Sequence, residues 1–437
     1  MSDNTGNYKK NIRLMNKNTE VVKFNGRVVN KKFPKDTAVP YLQADSIHVT
    51  DETRCPIFLS DKTIPQEKQL EWFNNWLNRR CVSEKRRDIP VALKYAKKEN
   101  ADFPHLFSLY DQYWLKFNET EKWEDYNFFD NDYSTTFGDF CFSLNKDNFK
   151  SNKNLFYNPE TPDITTGGIV PKAWKKIDGT NYLFKYELPD KSQTPLNEIM
   201  ASHFLSRLNI IDFVNYEYGI YEFTTCSKCA CFVDSDHEFI PMSDLYNLHT
   251  YANKKAESQN NNAFGDDRIY RTLVDIVNKY DIRNGVSFIN KMIIADTMLM
   301  NSDRHLGNFG VLRNVNTGKI EKFAPLFDFG SAFFEFDKEK KRLFSKDRVK
   351  QAFTGYFKEG IPPKGIYGEL TVEINNGYYF DLGKEQTTKL KKDLLVHGSW
   401  INDLIKNGNA QRKKVQKQNK SKDKNEPTIS YGLFENV

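Results

Sequence analysis

Three residues with side-chain oxygens, Asp303, Asn308 and Asp328, follow a spacing that suits the binding of a cation beside a hydroxyl group. Asp303 and Asn308 lie in "NSDRHLGN", directly after an apolar run, so we expect a buried helix to fix the loop that carries them. A hairpin predicted from "FGVLRNVNTGKIEKF", turning at residues 316–318, returns Asp328 to that loop. The pattern therefore predicts that two carboxylates and an amide converge.

Transfer of a phosphoryl group needs such a cluster. One carboxylate positions or deprotonates the attacking hydroxyl, while an amide oxygen and a second carboxylate hold Mg²⁺ on the phosphates of ATP. A lysine must steady those phosphates and a glutamate must orient the lysine. The sequence supplies all five residues in the order that protein kinases use, with Asp303 five positions before Asn308.

The lysine and the glutamate are expected on neighbouring elements. "KAWKKIDGTNYLFKYEL" predicts a hairpin that turns at Asp178-Gly179 and directs Lys185 away from the face of its alternating aromatic residues. "TPLNEIMASHFLSRLNI" predicts a helix that begins near Thr194, with Glu198 at the edge of its apolar face. Glu198 would meet Lys185 there, although an ordinary surface lysine and glutamate remain the alternative for this pair taken alone.

Upstream of the hairpin, "TPDITTGGIVPKAW" contains the pair Gly167-Gly168. Glycines let backbone N–H groups approach a bound anion closely, so the pair is a candidate phosphate contact. Most Gly-Gly pairs are simple turns, which is the alternative here.

Composition limits the remaining possibilities. The chain has 437 residues and a formal charge of +6, which the basic segment 406–426 accounts for alone. We interpret 406–437 as a disordered tail, with a nucleic-acid or acidic-partner contact as the alternative. There is no signal-peptide pattern or membrane-length apolar run, and the six cysteines are scattered, so we expect a cytoplasmic protein with reduced cysteines.

Composition shifts divide the chain into four segments. Residues 1–150 form an N-terminal subdomain of unclear role, and 151–245 a lobe of hairpins with one helix. Residues 246–405 form a mostly helical lobe before the tail. The predicted class is α+β, with two lobes and an additional N-terminal subdomain.

The motifs together resemble those of the HipA-like serine/threonine kinases of bacterial toxin–antitoxin systems. The resemblance rests on "TTGGIVPKAW", "YLFKY", "NEIMASHFLSRLNI", "MNSDRHLGNFGVL" and "APLFDFG", over roughly residues 150–345. It implies a protein-kinase-like fold, ATP and Mg²⁺ as cofactors, and a protein Ser or Thr hydroxyl as acceptor. It implies that Lys185 contacts the ATP phosphates, Asp303 is the catalytic base and Asn308 and Asp328 bind Mg²⁺. His305 would support the catalytic loop.

The same resemblance implies regulation and partners. A residue of the Gly-rich loop can be autophosphorylated in this family, and the matching positions are Thr165 and Thr166. By analogy, the backbone near Cys231 and Phe232 would meet adenine. Such toxins are commonly restrained by a DNA-binding antitoxin, which must be a separate polypeptide because this chain has no evident helix-turn-helix pattern.

Three other interpretations remain open. "DRHLGN" followed by "DFG" is also similar to the catalytic loop of phosphoinositide kinases, whose substrate is a lipid. A catalytically silent kinase fold that acts as a binding module is the second. The third concerns "CSKCACFVDSDH", in which Cys226, Cys229, Cys231 and His237 are conceivable zinc ligands, against the simpler interpretation as buried strand cysteines.

Overall fold

The computed structural model describes residues 8–33, 37–80, 105–142, 160–186, 194–257, 267–333, 343–356, 388–401 and 403. Contacts divide the chain into two units, Met1–Leu343 and Phe344–Val437. All of the candidate site residues lie in the first unit.

The first unit begins with an antiparallel sheet whose strands, among the described residues, are ordered β3-β2-β1-β4. β1 covers Tyr8–Asn16, β2 Thr19–Phe33, β3 Thr37–Val49 and β4 Tyr113–Lys116. An α-helix, α1, follows Pro65 and covers Gln66–Arg79. Its Phe73 and Leu77 are buried against Leu14, Phe24 and Leu42 of the sheet. Burial of this apolar face is what holds the helix on the strands.

The described residues between this sheet and the next one include three short helices: α2, Trp123–Tyr126; α3, Thr136–Phe142; and α4, Pro162–Thr165. The second antiparallel sheet has the strand order β5-β6-β8-β7. β5 covers Lys172–Ile177, β6 Thr180–Lys185, β7 Glu217–Tyr221 and β8 Thr224–Ala230. The hairpin predicted at Asp178-Gly179 is confirmed, because both residues have positive φ, 49° and 76°, as a primed turn requires.

Between β6 and β7 lies the predicted helix, α5, which spans Thr194–Leu208 and buries most of its side chains. The third antiparallel sheet, β11-β10-β9, consists of β9, His237–Pro241, β10, Gly310–Asn314, and β11, Ile320–Phe323. The predicted hairpin between β10 and β11 is confirmed, with Gly318 at φ 69° in its turn. Since β9 pairs with β10, this sheet joins segments from both sides of the boundary predicted at residue 245.

The helices of this part are α6, Met242–Glu257, α7, Arg268–Lys279, and α8, Gly285–Met298. From Met292 to Met298 every residue of α8 is buried, as its apolar run predicts. Met300 then adopts φ 55° and turns the chain into the loop that begins at Asn301. A rigid, buried helix end therefore fixes the start of the polar loop.

The second unit contains α9, Lys346–Tyr356, and a helical stretch at 388–401. The tail predicted at 406–437 lies outside the described residues. The α+β class is confirmed, whereas the segment boundaries near 150, 245 and 405 stay predictions. Within the described part of the chain, no helix is both long and apolar enough to cross a lipid bilayer.

Candidate active site

The last residue of β6 and the second turn of α5 bring Lys185 and Glu198 together. Lys185 Nζ lies 2.6 Å from Glu198 Oε1, and Glu198 is fully buried. Ser227 on β8 donates to the other carboxylate oxygen at 2.8 Å. Although burial opposes its charge, Glu198 and further negative groups hold the pKa of Lys185 well above its usual value. The predicted ion pair therefore forms, inside the lobe instead of on its surface.

Asp328 lies beside this pair. Its Oδ1 is 3.7 Å from Lys185 Nζ, and its side chain is 41% exposed. Burial alone would raise the pKa of Asp328, but the positive charges of Lys185, Lys172 and Arg304 lower it. Asp328 has φ 61°, a left-handed conformation that costs a non-glycine residue about 1–3 kcal/mol. A partly exposed carboxylate that stays ionised beside a cationic group is suited to binding a metal ion.

The loop after α8 holds Asp303 and Asn308 in one turn. Asn308 Nδ2 donates to the carbonyl of Asp303 at 3.1 Å, and the Asn308 N–H donates to the carbonyl of His305 at 2.9 Å. The His305 side chain is exposed and accepts from the N–H of Gly307 at 3.1 Å. The amide of Asn308 is thus committed through its NH₂ group, which leaves Oδ1 as the atom for a cation.

Arg304 holds this loop against its surroundings, a role that the sequence did not reveal. Its guanidinium, in a side chain that is only 4% exposed, forms two hydrogen bonds with Asp296 of α8, at 2.8 and 2.9 Å. It also donates to the carbonyls of Asn308 and Phe327, the latter at 2.7 Å. Arg304 therefore connects the Asn308 loop to the residue before Asp328. The one available signal was a charged Asp296 inside an apolar helix.

The Gly-rich loop lies at the start of β5. Gly168 has φ 101°, a backbone conformation that residues with a side chain rarely adopt. Lys172 is nearly buried and donates to the carbonyl of Gly167 at 2.8 Å. The positive charge of Lys172 is also among the charges that lower the pKa of Asp328. Sequence reasoning did not include Lys172 in the site.

The two threonines of this loop differ in accessibility. Thr166 is buried, donates to the carbonyl of Pro162 at 2.8 Å and accepts from Trp174 Nε1 at 2.8 Å. Thr165 is half-buried and donates to the same carbonyl at 3.2 Å. The hydroxyl of Thr165 is therefore the easier of the two to release.

Cys231 and Phe232 follow β8. The N–H of Cys231 donates to the carbonyl of Asn181 at 2.8 Å, so that this N–H is already committed within the sheet. The ring of Phe232 stacks on the ring of Phe327 at a centroid distance of 5.6 Å. Phe232 therefore contacts the residue that directly precedes Asp328. An adenine contact at these two residues stays a prediction.

The cysteine-rich segment does not form a metal cluster in the part of the chain that the structure describes, where no group of three or more His, Cys, Asp or Glu side chains is suitably arranged. Cys226 and Cys229 are buried in β8, and burial raises the pKa of each thiol to about 12. His237 instead contacts the carboxylates of Asp234 and Glu321, at 2.7 and 3.0 Å.

Comparison with known proteins finds similarity to kinases among curated proteins and solved structures, but not among family models. No family model matches the chain. Among curated proteins, the serine/threonine-protein kinase CtkA of Helicobacter pylori is 29% identical over 183 residues, 41% of this chain and 49% of that protein. The chain thus spans about half the length of this relative.

Two solved structures show some similarity to this chain. The Helicobacter pylori proinflammatory kinase CtkA has a TM-score of 0.44 and 20% identity, covering 56% of this chain and 94% of that one. HipA of Shewanella oneidensis MR-1, in a toxin–antitoxin complex with HipB and operator DNA, has a TM-score of 0.44 and 11% identity, covering 90% and 99%. The motifs and the sequence match show that the chain is similar to the HipA-like serine/threonine kinases. The chain is thus a kinase-like protein.

Proposed function

We propose that the protein is an ATP- and Mg²⁺-dependent kinase that transfers the γ-phosphoryl group to a Ser or Thr hydroxyl of a protein. The observation that carries the proposal is the buried Lys185–Glu198 pair, with Asp328 3.7 Å from the lysine. A lysine that must stay charged and fixed, beside a carboxylate that must stay ionised, is what binding of a metal-bound triphosphate requires.

The residues present fit both cofactors. Asp328 and the amide oxygen of Asn308 are hard oxygen ligands of the type that Mg²⁺ prefers, and both belong to the cluster that Arg304 connects. Bound Mg²⁺ would neutralise charge on the phosphates. Lys185, Lys172 and the backbone of Gly167 and Gly168 would hold the phosphate oxygens in place.

Asp303 is the proposed base. Its loop is rigid because the Asp303 N–H donates to Asn301 Oδ1 at 3.3 Å, while Asn301 Nδ2 donates to Asp296 at 2.9 Å. These contacts fix the backbone of the loop, and the Asp303 carboxylate that the loop carries would orient the acceptor hydroxyl and take its proton as the bond to phosphorus forms. His305 would support the loop through its contact with Gly307.

We also propose autophosphorylation at Thr165. Its hydroxyl is more accessible than that of Thr166, and the loop that carries it is adjacent to Lys172. Phosphate there would add about two negative charges beside the groups that hold ATP, so ATP would bind more weakly.

The test is the intact mass and phosphosite map of the purified protein after incubation with Mg·ATP, beside an Asp328→Asn control. Phosphate on the wild type alone is the expected result, with Thr165 as the first position. Phosphate on neither protein, together with no ATP binding, would contradict the kinase proposal. ATP binding without transfer to itself or to any protein from its own cell would instead support a silent binding module.

The wider setting is also a proposal. HipA of Shewanella oneidensis MR-1 is seen with HipB and operator DNA, and we propose by analogy that a separate DNA-binding antitoxin restrains this protein as a toxin in the cytoplasm. A pull-down from cells that express the protein with its neighbouring genes tests this partner. A direct contact of the basic segment 406–426 with nucleic acid is the weaker alternative, tested by deleting that segment.

A further inference from the structure

The backbone of Asp328 is held from both sides by side chains of other elements. Its N–H donates to the hydroxyl oxygen of Tyr216 at 3.3 Å. Two residues later, the carbonyl of Gly330 accepts from Asn197 Nδ2 at 2.8 Å. Between these contacts, Asp328 adopts φ 61°, which residues with a Cβ rarely adopt unless their surroundings impose it.

The hydroxyl of Tyr216 is itself fixed. The residue is 2% exposed, and its N–H donates to Ser202 Oγ of α5 at 2.8 Å. Its ring lies 5.1 Å from Lys185 Nζ and forms an edge contact with Phe329. Lys185 Nζ also approaches the phenol oxygen at 3.5 Å. One oxygen thus accepts from both the lysine and the Asp328 backbone, and phenylalanine would keep the ring but lose both contacts.

Asn197 provides the second contact. It is fully buried beside Glu198 on α5, and its Oδ1 has no hydrogen-bond partner in the described structure. A buried acceptor without a partner is unfavourable. The donation from Nδ2 to the carbonyl of Gly330 is therefore the contact through which the Asn197 amide contributes here. A Cβ on Gly330 would lie 2.4 Å from Thr194 Cγ2, so the absence of a side chain lets the segment approach the helix.

We infer that Tyr216 and Asn197 are positioning residues that keep Asp328 in its left-handed conformation, with its carboxylate oriented toward the metal site. Neither residue would touch ATP or the acceptor. The inference rests on the proposed kinase function, because the advantage of the fixed orientation is tighter binding of the catalytic Mg²⁺.

The experiment compares the Mg²⁺ dependence of phosphoryl transfer at saturating ATP in wild type, Tyr216→Phe and a matched control. Tyr216→Phe is expected to raise the Mg²⁺ concentration for half-maximal rate about tenfold, equivalent to ~1.4 kcal/mol. Its KM for ATP should rise less than the Mg²⁺ requirement, because the Lys185–Glu198 pair remains even though the contact of Lys185 with the Tyr216 hydroxyl is lost. Tyr218→Phe, the same change at an exposed position of β7, should behave as wild type. An unchanged Mg²⁺ dependence in Tyr216→Phe would overturn the inference.

A second measurement does not need turnover. Hydrogen exchange at single-residue resolution in the nucleotide-free protein should be slow at the Asp328 amide of wild type and at least tenfold faster in Tyr216→Phe. Equal exchange rates would contradict the inference even if no kinase activity is found, whereas slow exchange without phosphoryl transfer would contradict only the proposed function. If Tyr216→Phe does not fold, Asn197→Ala takes its place in the Mg²⁺ titration, with the same expected rise and the same contrary outcome.

Discussion

Glu198 shows how one buried residue decides the state of another. An ammonium group loses much solvation on burial, and Lys185 keeps its charge because Glu198 lies 2.6 Å away. Ser227 satisfies the second oxygen of the carboxylate, so that neither oxygen is left without a donor. The geometry of the lysine is thus set by three neighbouring side chains: Glu198, Ser227 and Tyr216.

Glu198→Gln should therefore reduce kcat/KM for ATP-dependent transfer by about 10²-fold, since a displaced positioning group has that effect on rate. The amide keeps the size of the side chain but removes the charge that fixes Lys185. Steady-state kinetics measures the loss. Glu217→Gln is the matched control, because Glu217 pairs with Lys228 at 3.6 Å on the exposed part of the same sheet. A Glu198→Gln enzyme with wild-type kcat/KM would show that the pair does not position the lysine.

At the scale of elements, Arg304 connects α8, the Asn308 loop and the segment that leads to Asp328. Removing one partner of a buried ion pair leaves the other charge uncompensated. We expect Arg304→Met to lower the free energy of unfolding by about 3–5 kcal/mol, measured by urea denaturation. Arg283→Met, at an exposed arginine beside the start of α8, should change it by less than about 0.5 kcal/mol. Equal effects of the two substitutions would contradict the role of Arg304.

The elements could be predicted from sequence wherever a local signal specifies them. Asp178-Gly179 and Gly318 determine two turns through backbone conformation, so both turns agree with the predicted hairpins. Tyr216 and Arg304 were missed because their roles depend on contacts with residues far along the chain, which no local pattern records. Lys185 and Glu198 were found because both had a recognisable element to carry them.

His105 links two elements through its ionisation. Its Nδ1 lies 2.8 Å from Glu160, just before α4, and its Nε2 lies 3.3 Å from Glu121. Burial opposes the charge, but the hydrogen bonds and charges of the two glutamates raise the pKa of His105. Burial alone would raise the pKa of Glu121. Hydrogen bonds, first of all from the N–H groups of Asn118 and Phe117, outweigh burial and lower this pKa to about 2. Both shifts favour the charged pair of His105 with Glu121.

The pH dependence of stability follows from these directions. A histidine whose pKa is raised in the fold stabilises fully below its unfolded value of about 6.5, and this stabilisation is lost as pH rises through the folded pKa. His237, whose pKa is also raised, contributes in the same direction. We expect the unfolding free energy of wild type to fall as the pH rises above about 6.5, and to fall less in His105→Gln. Parallel urea-denaturation curves for the two proteins across this range would contradict the prediction.

At the scale of the whole first unit, the N-terminal region is attached to the third sheet, whose last strand, β11, leads to Asp328. Arg313 of β10 donates to Glu238 of β9 at 2.7 Å, to the carbonyl of Cys55 at 2.9 Å, and to that of Thr53. The hydroxyl of Tyr113 in β4 donates to the carbonyl of Arg54 at 2.9 Å and approaches Glu238. Residues that the sequence left without a role thus hold the hairpin that leads to Asp328.

If this attachment stabilises the fold, its loss should destabilise both the N-terminal region and the third sheet. Arg313→Met leaves the buried Glu238 and several carbonyls without their donor, so the unfolding free energy should fall by about 3–5 kcal/mol. Hydrogen exchange followed by mass spectrometry should then show faster exchange in β9 and β10. It should also show faster exchange at Thr53–Cys55 and in β4, because all of these segments would open together. Arg13→Met, which removes an ion pair to the exposed Glu119, is the control and should leave both regions protected. Faster exchange confined to β9 and β10 would mean that the N-terminal region folds independently of the site that it contacts.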